Sequence, residues 1–143
     1  MTGRGALPWA VGHQIERPFI VTSSQLSDFG ALSGDSNPLH VDAAFARAHG
    51  FEGRVVYGGL IVAGISRLLG MELPGAGWIW HSLEIDFKRP LYVDQPAQFV
   101  ATVDHVNEPL GVVQIAFTLV AQDTVVARGK VQSGRLPALR STS

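Results

Sequence analysis

The stretch GGLIVAGISRLLG, residues 58–70, decides the fold. Apart from Ser66 and Arg67, every residue in it is apolar or glycine, so a helix built from it would be hydrophobic almost all round. A helix of this kind is buried inside a protein rather than laid on its surface. We therefore expect a central buried helix, ended by Gly70 and Pro74.

After this helix the hydrophobic period changes to two. Leu83, Ile85 and Phe87 alternate with polar residues, which is typical of a half-buried strand. Turn residues then separate three further alternating stretches, at residues 97–106, 113–119 and 124–133. Upstream, residues 14–22 also read as a strand, placed at an edge by Pro18. One helix followed by an antiparallel meander predicts an α+β fold, a sheet wrapped round a helix, whose edges are candidates for dimerisation.

Composition sets limits on the protein class. The chain has 143 residues, 46% of them hydrophobic and 16% charged, which fits one folded domain and excludes a disordered chain. We expect a single domain over residues 1–143, with its core at about residues 14–134 and short flexible termini. The net charge of -1 argues against electrostatic binding of nucleic acid by the whole surface, although a local basic patch would be compatible with it.

The chain lacks cysteine, which removes disulfides, thiolate metal sites and a cysteine nucleophile. The longest apolar run, residues 60–65, is far shorter than the ~20 residues that span a membrane. Residues 1–12 contain no continuous apolar segment, so no secretory signal is expected. His13, His81 and His105 lack metal-ligand spacing. We therefore predict a cytoplasmic protein without a membrane segment and without a metal.

A candidate site lies in LSGDSNPLHVD, residues 32–42, where Asp35 and His40 are five residues apart. On a helix this spacing would put the two side chains on different faces. Asn37 and Pro38 favour a turn instead, and a loop that doubles back can point both side chains into one cleft. A carboxylate beside an imidazole can move a proton at neutral pH. The alternative is a capping aspartate and a structural histidine.

The string SGDSNPLH at residues 33–40, with YGGL at 57–60 behind it, resembles the hydratase-2 motif of MaoC-like proteins. These are the (R)-specific enoyl-CoA hydratases and their dehydratase relatives. The resemblance covers roughly residues 14–134 and includes FKRPL at residues 87–91. It implies the hotdog fold and addition of water to a trans-2-enoyl thioester, giving the (R)-3-hydroxyacyl product, or the reverse dehydration.

By motif position, the resemblance implies that Asp35 and His40 form the catalytic pair and that Asn37 holds their loop in shape. Hydration needs a base that activates water and an acid that protonates the carbon beside the thioester. A carboxyl group in a partly buried pocket can serve in either role. His40 would hold and polarise the same water.

Gly58, at the start of the buried helix, is the candidate donor to the thioester oxygen, because its N–H is free and lies at the positive end of the helix dipole. The alternative is a purely steric need for glycine. Ser66 is a candidate pocket residue, or a packing residue bonded to its own backbone. Two departures from the family leave the acyl specificity open. Tyr57 stands where many members have histidine; it would reshape the loop and is a candidate substrate-binding residue. Gly59 stands where many have a larger apolar residue; it would widen the pocket or loosen the helix start.

Two further sets of residues each have more than one possible role. Trp78 and Trp80 are expected to pack in the core, or else to line an acyl tunnel or a dimer interface. Arg67, Lys88 and Arg89 are either solvated charges or contacts for the phosphates of coenzyme A or of a carrier-protein arm.

The leading hypothesis is a homodimeric hydro-lyase that uses no cofactor beyond its thioester substrate, carried by coenzyme A or by acyl carrier protein. A hotdog acyl-thioesterase, in which water attacks the carbonyl carbon, is an alternative. So is a pathway-specific dehydratase that acts on a carrier-protein-bound or branched acyl intermediate. A non-catalytic subunit of a heteromer is disfavoured because Asp35 and His40 are both present.

Overall fold

The computed structural model describes residue 7 and residues 9–140. In chain order the elements are β1 (Gln14–Phe19), α1 (Ser23–Ser33), α2 (Pro38–Val41), α3 (Ala43–Ala48), α4 (Gly58–Glu72), β2 (Trp78–Phe87), β3 (Ala97–Asn107), β4 (Val112–Ala121) and β5 (Thr124–Arg135). The strands form a five-stranded sheet in the order β1-β3-β4-β5-β2, and every pair is antiparallel. The predicted α+β architecture, with a meander after the helix, is confirmed.

One face of α4 lies on the sheet. The buried residues of the helix recur at helical spacing and pack against the inward side chains of the central strands; they are Ile61, Ile65, Leu68 and Leu69 on α4 and Phe99, Val103, Ile115 and Leu119 on β3 and β4. This alternation along the strands is the pattern of a sheet with one covered face. The core therefore sits between α4 and the sheet.

The other face of α4 is open in the single chain. Gly59, Ala63, Ser66 and Gly70 are exposed. Glycine and alanine raise the apolar count of the sequence but offer little side chain to bury, and the sheet covers the helix from one side only. The helix also continues through Gly70 to Glu72 and ends before Pro74, because a proline disfavours helical backbone in the residue before it.

The two edges of the sheet differ in length. Strand β1 ends at Phe19 rather than at residue 22, and Pro18 lies on this edge strand as predicted. Strand β2 forms the opposite edge and pairs only with β5 within the described chain. Over residues 9–140, no helix is both long enough and apolar enough to cross a membrane.

Candidate active site

The loop that carries Asp35 begins where α1 ends. Gly34 has a φ of 75°, in the left-handed region, and this turns the chain away from the helix axis. The Asp35 N–H donates to Ser33 Oγ at 3.1 Å, and the Asn37 N–H donates to Asp35 Oδ1 at 3.0 Å. Asn37 in turn caps α2, since its Oδ1 accepts from the Leu39 N–H at 3.1 Å. Short polar residues thus hold the loop with local hydrogen bonds.

His40 lies on α2 and is half-buried. Its Nδ1 is 2.6 Å from the backbone oxygen of Val55. A carbonyl oxygen can only accept, so this contact requires the proton on Nδ1. In the neutral imidazole, Nε2 is then the nitrogen with a free lone pair. Such a nitrogen can accept a hydrogen bond from water.

Tyr57 joins the two candidate residues. Its ring is stacked on the His40 ring, with centroids 4.1 Å apart and planes at 28°, and its hydroxyl donates to the backbone oxygen of Asp35 at 2.7 Å. Burial, and secondly the Asp35 carboxylate, raises the pKa of the Tyr57 phenol. The structure thus brings Asp35 and His40 to one site.

Two expectations about these residues need correction. Tyr57 does not line the pocket as a substrate-binding residue, because only 2% of it is exposed and its ring lies behind His40. Asp35 is exposed rather than partly buried, since its loop lies on the surface of the single chain.

A pocket of about 370 Å³ opens beside His40. It is mostly apolar, with basic residues on one side, and it is lined by Leu39, His40, Phe51, Val55, Val56, Gly58, Ile61, Phe87, Lys88, Arg89, Pro90 and Leu91. A concave apolar pocket with a few polar groups is the usual form of a small-molecule site. His40 and Gly58, predicted separately from the sequence, share this pocket.

Gly58 begins α4 at the pocket wall. Among the described residues, the N–H groups of Gly58 and Gly59 make no hydrogen bond, and Tyr57 gives the helix no side-chain cap. The positive end of the helix dipole therefore faces the pocket with free donors. A Cβ at position 58 would also lie 3.2 Å from the Phe87 ring. The steric need for glycine and a free donor N–H are thus both present here.

Six predicted residues do not line the pocket: Asp35, Asn37, Tyr57, Gly59, Ser66 and Arg67. Ser66 is exposed, about two turns beyond Gly58 on α4. Gly59 does not widen the pocket, because a Cβ there would meet the Phe29 ring at 2.8 Å. Arg67 lines a separate groove of about 170 Å³ between α4 and β1.

The tryptophans follow the core-packing alternative. Trp78 is tilted against Trp9 with ring centroids 5.5 Å apart, and Trp78 and Trp80 both pack against the hydrophobic core. They are not among the residues that line the pocket.

The pocket also contains two residues that the sequence did not predict there, Val55 and Phe87. Val55 acts through its backbone oxygen, which no side-chain pattern signals. Phe87 is predicted as a strand residue and as part of the FKRPL stretch but not as a pocket residue; a large aromatic at a strand end beside the basic pair is the signal for that role. Across the described residues, no group of three or more His, Asp or Glu side chains could hold a metal ion. A metal-free site stays a prediction.

An antiparallel sheet packed on one long helix defines a hotdog-fold protein, and here Asp35 and His40 precede that helix. The (R)-hydratase of Aeromonas caviae involved in PHA biosynthesis superimposes with a TM-score of 0.85 at 30% identity, over 92% of this chain and 100% of that one. The MaoC-like domain matches residues 10–127, and the chain belongs to this family. The resemblance seen in the motif is confirmed.

Two curated relatives illustrate the similarity. The (R)-specific enoyl-CoA hydratase of Aeromonas caviae is 44% identical over 71 residues, which are 50% of this chain and 53% of the relative. The 3-hydroxybutyryl-CoA dehydratase of Methylorubrum extorquens is 31% identical over 111 residues, 77% of this chain and 70% of the relative. The matched stretch therefore spans about half the length of the first relative and over two thirds of the second.

Proposed function

We propose that this protein is a hydro-lyase, which adds water to trans-2-enoyl thioesters to give (R)-3-hydroxyacyl thioesters or catalyses the reverse dehydration. One observation carries the proposal: His40 and the Asp35 loop are held together by Tyr57, with His40 beside an apolar pocket that ends at the free N–H of Gly58. The names of the hydratase and dehydratase relatives support the same reaction class.

In the hydration direction, His40 Nε2 accepts a hydrogen bond from a water molecule and orients it. The Asp35 carboxylate removes a proton from this water as its oxygen bonds to C3 of the enoyl chain. The π electrons of the C2–C3 bond move towards the thioester, which becomes an enolate. The carboxyl group of Asp35 then returns the proton to C2. One general acid–base group thus adds H and OH across the double bond, and dehydration follows the same steps in reverse.

The enolate oxygen needs hydrogen-bond donors that are in place before the charge develops. The Gly58 N–H would donate to it, at the N-terminus of α4, where the helix dipole favours negative charge. The apolar lining of the pocket strengthens this interaction, because Coulomb energies rise as the effective dielectric constant falls.

The thioester is carried by coenzyme A or by acyl carrier protein, and both carriers bring phosphate to the pocket. Lys88 and Arg89 line the same pocket and are exposed, so they are placed to meet such phosphates. No metal or organic cofactor takes part in the proposed chemistry. We also propose a cytoplasmic location, with which a composition without cysteine is compatible.

The proposal includes a homodimer formed along β2. This strand is 10 residues long and exposes a full edge, which is a ready template for pairing with another strand. Its exposed apolar residues include Ile79 and Phe87.

The test is to mix the purified protein with crotonyl-CoA and to follow loss of the conjugated enoyl absorbance and release of free thiol. Absorbance loss without thiol release supports the hydro-lyase. Thiol release from a saturated acyl-CoA would instead support the thioesterase. If crotonyl-CoA is not consumed, longer, branched and carrier-bound enoyl thioesters test the pathway-specific dehydratase, and failure with all of them would reject the proposed reaction.

A further inference from the structure

We infer that Tyr57 is a positioning residue for the proposed reaction, one that fixes the catalytic acid and the catalytic histidine relative to each other. The inference rests on the proposed function. It concerns a residue that touches no substrate, because Tyr57 is buried and does not line the pocket.

The first contact of Tyr57 sets the plane of the imidazole. The Tyr57 and His40 rings are stacked at a centroid distance of 4.1 Å, while the Val55 oxygen holds Nδ1. The stack fixes the plane of the imidazole, and the hydrogen bond fixes its rotation within that plane. Together these two restraints leave one direction for Nε2.

The second contact of Tyr57 anchors the acid. Its hydroxyl donates to the backbone oxygen of Asp35 at 2.7 Å. The other hydrogen bonds of this loop, from Asp35 to Ser33 and from Asn37 to Asp35, are local. The Tyr57 hydroxyl therefore ties this loop to the helix that carries Gly58.

The absence of a side chain at Gly30 leaves space for the same contact. It lies inside α1, where glycine destabilises the helix relative to alanine. A Cβ at this position would lie 2.9 Å from the Tyr57 hydroxyl oxygen, too close for an ordinary contact. Glycine at position 30 thus gives the hydroxyl room to reach Asp35.

The phenol remains a donor throughout the working pH range, because burial and the nearby Asp35 carboxylate both raise its pKa. Removing the hydroxyl leaves the stacked ring in place and frees the backbone of Asp35. Misplacing a catalytic group by about 1 Å can cost about 100-fold in rate. The expected defect is therefore in kcat rather than in KM.

The experiment compares Tyr57→Phe with Tyr92→Phe by steady-state hydration of crotonyl-CoA. Tyr92 is the matched control, because its hydroxyl also bonds to the backbone, accepting from the Glu52 N–H at 3.1 Å, yet it does not line the pocket. We expect kcat of Tyr57→Phe to fall by about 10- to 100-fold with KM within about twofold. Tyr92→Phe should match the wild type.

A second variant keeps the inference testable if Tyr57→Phe folds poorly. Gly30→Ala should favour α1 as a helix, yet it pushes the hydroxyl away from Asp35, so kcat should fall although the helix gains stability. In the double variant the clash is gone, and kcat should be no lower than in Tyr57→Phe alone. This non-additivity is the signature of a shared contact.

The possible outcomes distinguish failure of the proposed hydro-lyase activity from failure of the role of Tyr57. A wild-type protein that hydrates no enoyl thioester would overturn the proposed function, and this inference with it. An active wild type with unchanged kcat in Tyr57→Phe and Gly30→Ala would overturn the inference alone. So would a loss confined to KM, or an equal loss in Tyr92→Phe.

Discussion

The imidazole Nδ1 of His40 and the backbone oxygen of Val55 are 2.6 Å apart. Because the carbonyl can only accept, this one contact decides which nitrogen of His40 is available for chemistry. The Val55 N–H also donates to the backbone oxygen of Leu39 at 3.2 Å, so its oxygen belongs to a backbone that is itself held in place. A backbone acceptor of this kind cannot be removed by a side-chain substitution, and the role of His40 must be tested on the ring.

His40→Phe should retain a ring against Tyr57 but lose both nitrogens. We expect hydration of crotonyl-CoA to fall by at least about 100-fold, the usual range for loss of a group that handles a proton or orients water. His49→Phe is the matched control, since His49 also packs against an aromatic ring at the end of a short helix, tilted against Phe45 with ring centroids 4.5 Å apart. Comparable losses in both variants would contradict a special role for His40.

Asp35→Asn tests the proton transfer without disturbing the loop. The amide oxygen of asparagine can still accept from the Asn37 N–H, which Asp35 does at 3.0 Å, but an amide cannot take up and return the proton. We expect the rate to drop by about 100-fold or more.

Asp42→Asn is the control for that substitution. Asp42 caps α3 by accepting from the N–H groups of Ala44 and Phe45, and asparagine caps a helix about as well. Its rate should stay at the wild-type level. A full rate in Asp35→Asn would show that Asp35 is structural and that the proposed mechanism is wrong.

The basic pair Lys88 and Arg89 offers a test of the phosphate contact. Reversing both charges should raise KM for crotonyl-CoA by roughly three- to tenfold, the effect of about 1 kcal/mol from exposed ion pairs. It should leave KM unchanged for a short thioester that lacks phosphate. Reversal of Arg128 and Lys130, which line a groove at β2, β4 and β5, is the matched control. An unchanged KM for the coenzyme A ester would remove the phosphate role.

The proposed pairing along the exposed edge of β2 predicts that the protein is a dimer. Ile79 is 55% exposed on this strand, and a lysine there should block strand pairing. We expect the wild type to sediment as a dimer and Ile79→Lys as a monomer. Leu110→Lys, at a position 73% exposed in the turn after β3, should remain dimeric. A dimeric Ile79→Lys would move the interface away from this edge.

The candidate site shows which features local sequence can predict. Gly34, Asn37 and Pro38 have turn preferences that act within a few residues, so the turn between Asp35 and His40 followed from the sequence, although His40 itself lies on α2. The stack of Tyr57 on His40 did not, because it joins residues 17 positions apart and depends on how α2 meets α4. The same limit applies to Phe87, which reaches Gly58 only through tertiary packing.

Helix α4 shows that composition alone does not predict which face of a helix is buried. Its apolar count predicted a central helix correctly but could not tell its covered face from its open one. Ile61 and Ile65 face the sheet, whereas Ala63 and Ser66 face outwards. Which face is covered depends on where the strands lie, and this is a property of the whole fold rather than of residues 58–70.

Alkaline unfolding provides a last test, because Tyr57 has a pKa raised above its ordinary value of 10.0 by burial and by Asp35. Between the ordinary and the raised pKa, the folded chain keeps a proton that the unfolded chain releases. The free energy of unfolding must then fall as the pH rises above that ordinary value, whereas below it this contribution is fully present. Urea unfolding of the wild type should thus become easier above about pH 10. Tyr57→Phe should lose this part of the pH dependence and Tyr92→Phe should keep it, so parallel pH profiles for the wild type and Tyr57→Phe would contradict the raised pKa.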